Sequence, residues 1–289
     1  MEQGEGLRGS DGLLMGTPRV AIDAVAGKMG RALVAALAEH PELRLGAAIG
    51  RPGASYLGED AGRLAGVGEL GVAVCDRLDA VLDDFDVLIE FAPADVALGH
   101  LRQAAARGRA VVLGSTGFSA EAQAEIDSLA RSIALVQAPN MSVGVNVLLA
   151  FLPQMVEALG AGYDVEILEA HHGQKRDAPS GTALQLGRAV AAGRGVELDA
   201  VACWDRNGVS GPRQPGSIGF ASLRAADVVG EHSVWLAGAG ERLELTHRAG
   251  SRRNFAEGAL RAASWLRGRG PGHYDMQDVL GLRTAARVR

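Results

Sequence analysis

Short apolar segments alternate with amphipathic segments through the first half of the chain, and this alternation limits the possible folds most strongly. RVAIDA, LRLGAAIG, DVLIEFA, AVVLGS and ALVQA have the length and apolar content of buried strands, and the segments between them, such as GKMGRALVAALAEH, have helical periodicity. Strands joined through helices run parallel. The pattern predicts an α/β domain over residues 19 to 142, a Rossmann-like doubly wound parallel sheet with helices on both faces.

The pattern changes after residue 142. A strand, DVEILEAHH, leads into a loop and a helix, and GSIGFASLRAADVVGEHSVWLAGAGERLELTHRAG then contains two or three extended segments with glycine-rich turns. These segments predict a second α+β domain with an antiparallel or mixed sheet over residues 143 to 251. The helical segment NFAEGALRAASWLRG has no sheet of its own, so we expect residues 252 to 289 to pack back on the first domain.

The composition favours a globular protein and excludes several partners. Of the 289 residues 47% are hydrophobic, and the formal net charge of −5 does not favour nucleic-acid binding, which needs a basic surface. Cys75 and Cys203 lie far apart without metal-ligand spacing, so we expect neither a disulfide framework nor a metal site. Residues 1 to 18 match neither a signal peptide nor a membrane anchor. We therefore expect a flexible tail and a cytoplasmic protein that does not bind membranes.

The turn after the first predicted strand has the glycine spacing typical of a dinucleotide site. In IDAVAGKMGRAL, Gly27 and Gly30 hold the second and third places of a G-x-x-G-x-x-G pattern, whereas Ala24 holds the first. Lys28 and Met29 lie at the predicted helix start, where free backbone amides favour a phosphate. Glycine also serves ordinary tight turns, but this position in a βαβ unit favours a nucleotide.

The end of the second predicted strand indicates which dinucleotide would bind. Gly50 stands where an acidic residue would hold the ribose hydroxyls of NAD, and Arg51 follows it. Arginine without the acid fits a 2′-phosphate, so we expect NADPH, with NADH possible; a solvated loop arginine is the alternative explanation. Two further strand ends lie on the same carboxyl edge and extend the expected cofactor contacts to Gly114, Ser115, Thr116, Ala138, Pro139, Asn140 and Met141.

The segment EAHHGQKRDAPSGTALQLG gathers proton carriers and anion-binding groups in one loop. Neighbouring strand residues point to opposite faces, so His171 and His172 cannot both be core residues. Histidine can deliver a proton near neutral pH, and Lys175 is a cation, so the loop suits an anionic substrate that must be protonated. The turn Ser180, Gly181 and Thr182 begins the next helix and can hold a carboxylate or phosphate, although a plain helix cap would have the same sequence.

The remaining histidines have no predicted chemistry. We expect His232 and His247 to form hydrogen bonds across a sheet, and His40, His100 and His273 to lie at helix ends or on the surface.

Together these motifs resemble the 4-hydroxy-tetrahydrodipicolinate reductase family, the dihydrodipicolinate reductases of bacterial lysine biosynthesis. The resemblance runs from about Arg19 to Leu282, and EAHHGQKRDAPSGTAL matches E-x-H-H-x-x-K-x-D-x-P-S-G-T-A without a gap. GSTGF, APNMSVGVN, IGFASLRAADVVGEH and YDMQDVLGL also match the family pattern. The resemblance implies an NAD(P)H-binding domain and a second domain that binds a small dicarboxylate and forms the sheet core of a homotetramer.

The resemblance also implies roles for the loop. His171 would donate the proton, Lys175 would assist it and hold a carboxylate, and His172 with the Ser180-Gly181-Thr182 turn would hold the carboxylates. Arg252, in GSRRNF, would assist where the domains meet. Hydride would pass from the nicotinamide as 4-hydroxy-tetrahydrodipicolinate loses water to give tetrahydrodipicolinate.

Three cofactor-side positions depart from the family pattern. Ala24 replaces the first glycine, Gly50 replaces the usual acid, and Ala92 with Pro93 replaces F-[ST]-x-P near the nicotinamide. They predict NADPH preference and weakened cofactor binding. Two alternatives to an active reductase stay open: a non-catalytic paralogue without productive dinucleotide binding, and an NADPH-dependent reductase of a related cyclic imino acid.

Overall fold

The computed structural model describes residues 17 to 283, and its strands form two sheets. The strands are β1 (Arg19–Ile22), β2 (Arg44–Ile49), β3 (Val74–Cys75), β4 (Val87–Glu90), β5 (Ala110–Leu113), β6 (Ala134–Gln137), β7 (Asp164–His171), β8 (Ala202–Cys203), β9 (Ile218–Arg224), β10 (Gly230–Gly238), β11 (Glu241–Ala249) and β12 (Gly272–Tyr274). The helices are α1 (Lys28–Ala38), α2 (Ala61–Ala65), α3 (Ala94–Ala106), α4 (Ala120–Leu129), α5 (Val143–Leu159), α6 (Gly181–Gly193), α7 (Leu198–Val201), α8 (Arg253–Leu266) and α9 (Met276–Leu280), with a 3₁₀ turn at Leu78–Ala80.

The first sheet has the strand order β12-β6-β5-β4-β1-β2-β3, and its neighbouring strands are parallel. From β1 the sheet extends in one direction through β2 to β3, and in the other direction through β4 and β5 to β6. Every residue of β4 is buried, because helices cover both faces of the sheet. The predicted doubly wound parallel sheet is therefore confirmed. Its strand order reverses between β1 and β4, and ligands bind at the carboxyl edge beside such a reversal.

The second sheet has the order β11-β10-β7-β9-β8 and is mixed, as predicted. β7 pairs parallel with β9 and antiparallel with β10. Alternate residues of β7, among them Val165 and Ile167, pack in the core formed with α5 and α6. The residues between them face the other side of the sheet.

The C-terminal part of the chain lies against the first sheet. Helix α8 packs on α1 and on β4, β5 and β6, and β12 extends the sheet beside β6. A Cβ on Gly258 of α8 would collide with the carbonyl of Met141, so only glycine permits this close packing. Of the predicted tail, residues 1 to 16 lie outside the described residues, as do residues 284 to 289. The domain boundaries remain predictions.

No helix between residues 17 and 283 has both the length and the apolar character that crossing a membrane requires.

Candidate active site

The turn between β1 and α1 is closely packed, and its glycines are required by that packing. A Cβ on Gly30 would collide with the carbonyl of Ala24, and one on Gly27 would lie 3.1 Å from the same oxygen. Ala24 itself has φ 50°, in the left-handed region that favours glycine. Lys28 is exposed at the first position of α1, and Met29 packs against the core. The uncovered turn at a helix N-terminus fits a dinucleotide phosphate.

The end of β2 is crowded by neighbouring side chains at Gly50. A Cβ on Gly50 would lie 2.6 Å from the ring of Tyr56 and 3.0 Å from Val74 Cγ1. The Tyr56 hydroxyl in turn accepts a hydrogen bond from the backbone N–H of Arg51 at 3.1 Å, and Arg51 is exposed. An acidic side chain at position 50 would therefore require the Tyr56 ring to move.

At the ends of β5 and β6, several residues predicted to contact the cofactor are buried or are held by hydrogen bonds and packing within the protein. Ser115 Oγ donates to the carbonyl of Ala92 at 2.6 Å, and a Cβ on Gly114 would collide with the Phe91 ring. Ala138 and Met141 are buried, whereas Thr116 and Pro139 are exposed at the same edge. The buried residues would therefore contact a cofactor through their backbone.

His100 differs from its prediction as a helix-end or surface residue. It lies within α3, its side chain is 15% exposed, and its Nδ1 is 2.8 Å from Glu90 Oε2. The expectation is wrong because the periodicity of the sequence located the helix but not the buried carboxylates of Asp23 and Glu90, which lie beside the His100 ring.

The segment from Glu169 to Thr182, at the end of β7 and the start of α6, contains His171 and His172, and we call it the histidine loop. It is organised around Glu169, a buried carboxylate on β7. Glu169 lies 2.6 Å from His171 Nδ1, accepts hydrogen bonds from Arg224 at 2.8 and 2.9 Å, and accepts one from the Ser180 N–H at 3.2 Å. Burial by itself would raise the pKa of Glu169, but the bonds from His171 and Arg224 outweigh it and lower the pKa to about 2. The group is thus a carboxylate at neutral pH. It holds a proton on His171 Nδ1 and leaves Nε2 as the second functional nitrogen.

His232 lies beside this pair, although the sequence suggested only a bond across the sheet. Its Nε2 is 3.0 Å from Ser180 Oγ, and its ring meets that of His171 edge-on at 5.2 Å. Burial, followed by the neighbouring His171, lowers the pKa of His232 to about 4, so the ring is neutral near pH 7. Ser180 also accepts from the Ala183 N–H at 3.1 Å, which makes it the N-cap of α6. His232 therefore orients the hydroxyl that begins the predicted anion cradle.

The two cations predicted to hold carboxylates have different surroundings. Lys175 Nζ lies 2.9 Å from each carboxylate oxygen of Asp177, so a substrate carboxylate would exchange with this ion pair. His172 is half-buried next to it in the loop. Arg252 is the N-cap residue of α8, and its carbonyl accepts from the Phe255 and Ala256 N–H groups. The described contacts do not join the Arg252 side chain to the loop.

One hydrogen bond joins the carboxyl edge of the first sheet to the histidine loop. Asn140, after β6, donates from Nδ2 to Thr182 Oγ1 at 2.9 Å. Its Oδ1 accepts from the Ser142 N–H at 2.8 Å, and its carbonyl accepts from Asn146 Nδ2 at 2.8 Å. The end of a first-sheet strand and the N-terminus of α6 are therefore in direct contact.

Comparisons with known proteins agree with this two-part arrangement. The family model described as dihydrodipicolinate reductase, N-terminus, matches residues 18–141, and the corresponding C-terminus model matches residues 144–280. The chain belongs to the dihydrodipicolinate reductase family.

Curated relatives cover nearly the whole chain. It is 50% identical over 265 residues to the 4-hydroxy-tetrahydrodipicolinate reductase of Hahella chejuensis, covering 92% of this chain and 99% of the relative. It is 52% identical over 266 residues to the enzyme of the same name from Chromohalobacter salexigens, with the same coverage.

Solved structures share the fold. The dipicolinate-bound dihydrodipicolinate reductase from Paenisporosarcina sp. TG-14 aligns with a TM-score of 0.71 and 22% identity, covering 91% of this chain and 98% of that one. GenD2 from gentamicin A biosynthesis, in complex with NAD, aligns with a TM-score of 0.59 and 18% identity, covering 96% and 94%.

Sequence reasoning did not identify three residues that the fold brings to the loop: Glu169, Arg224 and His232. A signal for Glu169 was present, because it lies in phase with the inward-facing Val165 and Ile167, where an acid is unusual. It is also the first letter of the family motif. The other two come from β9 and β10, and only sheet pairing places them here, with Arg224 opposite His171.

A cavity of about 780 Å³ lies elsewhere, beside the start of β7 and the loop 205 to 217. Two of its three arginines are paired with carboxylates, since Arg213 contacts Asp164 and Glu166, and Arg206 contacts Glu166 as well. The third, Arg194, donates to the carbonyls of Tyr163 and Gly216. None of the residues of the loop after β7 lines this cavity. The cavity is therefore not the candidate active site.

Proposed function

We propose that this protein reduces 4-hydroxy-tetrahydrodipicolinate to tetrahydrodipicolinate with NAD(P)H, in the diaminopimelate route of lysine biosynthesis. The observation that carries the proposal is the buried Glu169–His171 pair in a cationic loop that Asn140 ties to the nucleotide edge. Relatives about half identical over 92% of the chain have the name of this activity. The bound dinucleotide would supply the hydride.

The loop residues would bind the dicarboxylate and deliver the proton. In the doubly protonated His171 ring, Glu169 would hold the Nδ1 proton and the Nε2 proton would pass to the substrate, leaving the neutral ring with its proton on Nδ1. Lys175 leaves Asp177 to bind a carboxylate and to support the protonation. The amides and hydroxyls of Ser180, Gly181 and Thr182, with His172, would hold the carboxylates at the start of α6, and Arg252 would approach them from the start of α8.

Replacement of His171, the proposed proton donor, tests this assignment. His171→Gln should lower kcat by about 10²–10⁴-fold, the usual contribution of a proton donor, and leave the Kd for NADPH within about twofold. Lys175→Ala should raise the KM for the dicarboxylate and also lower kcat. His273→Gln is the matched control, because His273 pairs with Asp127 on the surface, 3.0 Å away. A wild-type rate in His171→Gln would place the chemistry elsewhere.

The proposed cofactor is NADPH, bound along the edge formed by Gly27, Lys28 and Gly30 and by the ends of β5 and β6. Gly50 provides no acid to hold the ribose hydroxyls, and the exposed Arg51 beside it would meet a 2′-phosphate. Arg51→Ala should raise the Kd for NADPH about tenfold, the loss of one charged phosphate contact, and leave the Kd for NADH unchanged. Calorimetric titration measures both, and equal losses would contradict the proposal.

The proposed assembly is a homotetramer in the cytoplasm, joined through the face of the second sheet opposite α5 and α6. Leu223 on this face is 59% exposed, and Leu168 and Trp235 are half-buried there. Light scattering of the purified protein gives its mass directly, and a monomer would refute the assembly.

A second candidate is a non-catalytic paralogue, favoured by the alanine at φ 50° in the cofactor turn. Such a protein would bind the dicarboxylate without oxidising NADPH. A third, favoured by Ala92 in place of the family's hydroxyl residue, is a reductase of another cyclic imino acid. Nicotinamide absorbance followed with the lysine-pathway substrate and with other cyclic imines separates the three.

A further inference from the structure

Two carboxylates and an imidazole lie buried together at the carboxyl edge of the first sheet, outside the histidine loop. Asp23 follows β1 and Glu90 ends β4, its neighbouring strand. His100 Nδ1 lies 2.8 Å from Glu90 Oε2 and 3.5 Å from Asp23 Oδ2. The side chains of Asp23, Glu90 and His100 are 5%, 0% and 15% exposed. We call these three residues the edge cluster.

The charges within the edge cluster compensate one another. Burial opposes the charge on His100, but the interactions with the nearby carboxylates of Asp23 and Glu90 outweigh it and raise the pKa of His100 to about 10. Burial raises the pKa of Glu90 to about 7, with the neighbouring Asp23 adding to the rise. His100 is therefore an imidazolium between two acids near neutral pH. Replacing buried ion pairs by apolar groups is often neutral or stabilising, so stability is a weak explanation for the cluster.

The edge cluster is connected to the cofactor edge by hydrogen bonds. Glu90 Oε1 accepts from the Ala92 N–H at 2.6 Å, while its other oxygen faces His100. The carbonyl of Ala92 accepts from Ser115 Oγ at 2.6 Å, after β5. A continuous series of contacts thus runs from Asp23, just before the cofactor turn, across the ends of β1, β4 and β5. It passes through Ala92, where the family pattern has a hydroxyl residue.

We propose that Asp23, His100 and Glu90 act as a positioning cluster that holds the loops of the cofactor edge in the shape that binds a reduced nicotinamide dinucleotide. His100 fixes the orientation of the Glu90 carboxylate, which fixes the Ala92 amide, and Ala92 in turn fixes Ser115. The backbone of Ala92 is thereby held without the side-chain hydroxyl that the family pattern provides there. This inference rests on the proposed function only in naming the dinucleotide.

Removal of the imidazolium tests the proposal. His100→Gln should raise the Kd for NADPH about tenfold, as expected when a supporting contact behind a binding site is lost. The KM for NADPH should rise in parallel, while the KM for the dicarboxylate stays within about twofold. His273→Gln, the same substitution in a surface ion pair of the first domain, should change neither constant. Reduced thermal stability with an unchanged Kd for NADPH would show a purely structural role and overturn the proposal.

A double-mutant cycle tests whether the cluster acts as a unit. Asp23→Asn combined with His100→Gln should lose no more NADPH affinity than the worse single variant. Additive losses would overturn the coupling. If His100→Gln does not fold, the cycle is repeated with Glu90→Gln, which keeps the side-chain size and an acceptor for the Ala92 amide.

Two further outcomes can be told apart from failure of the positioning proposal: failure of the proposed function, and the presence of a metal site. NADPH binding is measured without the dicarboxylate, so a wild-type protein that fails to reduce it would refute the proposed function and leave this test intact. Titration with Zn²⁺ alone checks the other chemistry of an imidazole and two carboxylates. Stoichiometric Zn²⁺ binding that is lost in His100→Gln would identify a metal site and overturn the positioning role.

Discussion

Glu169→Gln is the substitution that most directly measures the charge arrangement of the histidine loop. It keeps the side-chain size but removes the charge that His171 and Arg224 contact. The pKa of Glu169 is about 2 in the folded protein against an ordinary value of 4.5, which corresponds to about 3 kcal/mol at about 1.4 kcal/mol per pKa unit. Arg224 is 21% exposed, and solvent screening reduces the expected loss to about 2–3 kcal/mol.

The loss should depend on pH in a defined direction. Because folding lowers the pKa of Glu169, its stabilisation is complete above about pH 4.5 and is lost as the pH falls towards 2. The difference in unfolding free energy between wild type and Glu169→Gln should be largest near pH 7 and shrink below pH 4.5. Urea denaturation at a series of pH values measures this difference.

A matched substitution on the neighbouring strand provides the control. Glu231 on β10 pairs with Arg248 at 3.2 Å on the exposed surface, so Glu231→Gln should change stability by less than about 0.5 kcal/mol. Glu169→Gln should also reduce kcat, because the Nδ1 proton of His171 loses its acceptor. Equal stability of Glu169→Gln and wild type at pH 7, or a difference that grows as the pH falls, would refute the reasoning.

Two further substitutions test local geometry. Ala24→Gly should stabilise the protein by about 0.5–1 kcal/mol, because a left-handed alanine costs about 1–2 kcal/mol and the greater freedom of glycine in the unfolded chain offsets only part of this gain. Urea denaturation measures the change in unfolding free energy, and a less stable variant would contradict the prediction. Asn140→Ala should raise the KM for the dicarboxylate about fivefold, because Thr182 loses the donor that orients its hydroxyl, and Thr182→Val should have a similar effect; unchanged KM values in both variants would exclude this role.

Most of the first domain could be predicted because its information is local. A strand buried on both faces consists almost entirely of apolar residues, and the helices between such strands have amphipathic periodicity. The motif from Glu169 to Ala183 likewise placed His171, Lys175 and the α6 N-terminus in one loop, because they are close in the chain. Local spacing also located Gly27 and Gly30 in the turn between β1 and α1.

The partners of these residues could not be predicted, because they come from strands that pair without being consecutive in the chain. β7 lies between β9 and β10, so Arg224 and His232 reach Glu169 from opposite sides. β1 lies beside β4 because the strand order reverses there, and this reversal brings Asp23 to Glu90.

The sequence by itself determined the parallel sheet, the second mixed sheet, the glycine turn between β1 and α1 and the histidine loop, because each depends on periodicity or on residues close in the chain. Only the tertiary structure decided the charge state of Glu169, the neutral state of His232, the position of His100 between two acids and the Asn140–Thr182 contact. The reason is physical: a titratable group responds to burial and to neighbours a few ångströms away, and sheet pairing and domain contact supply those neighbours.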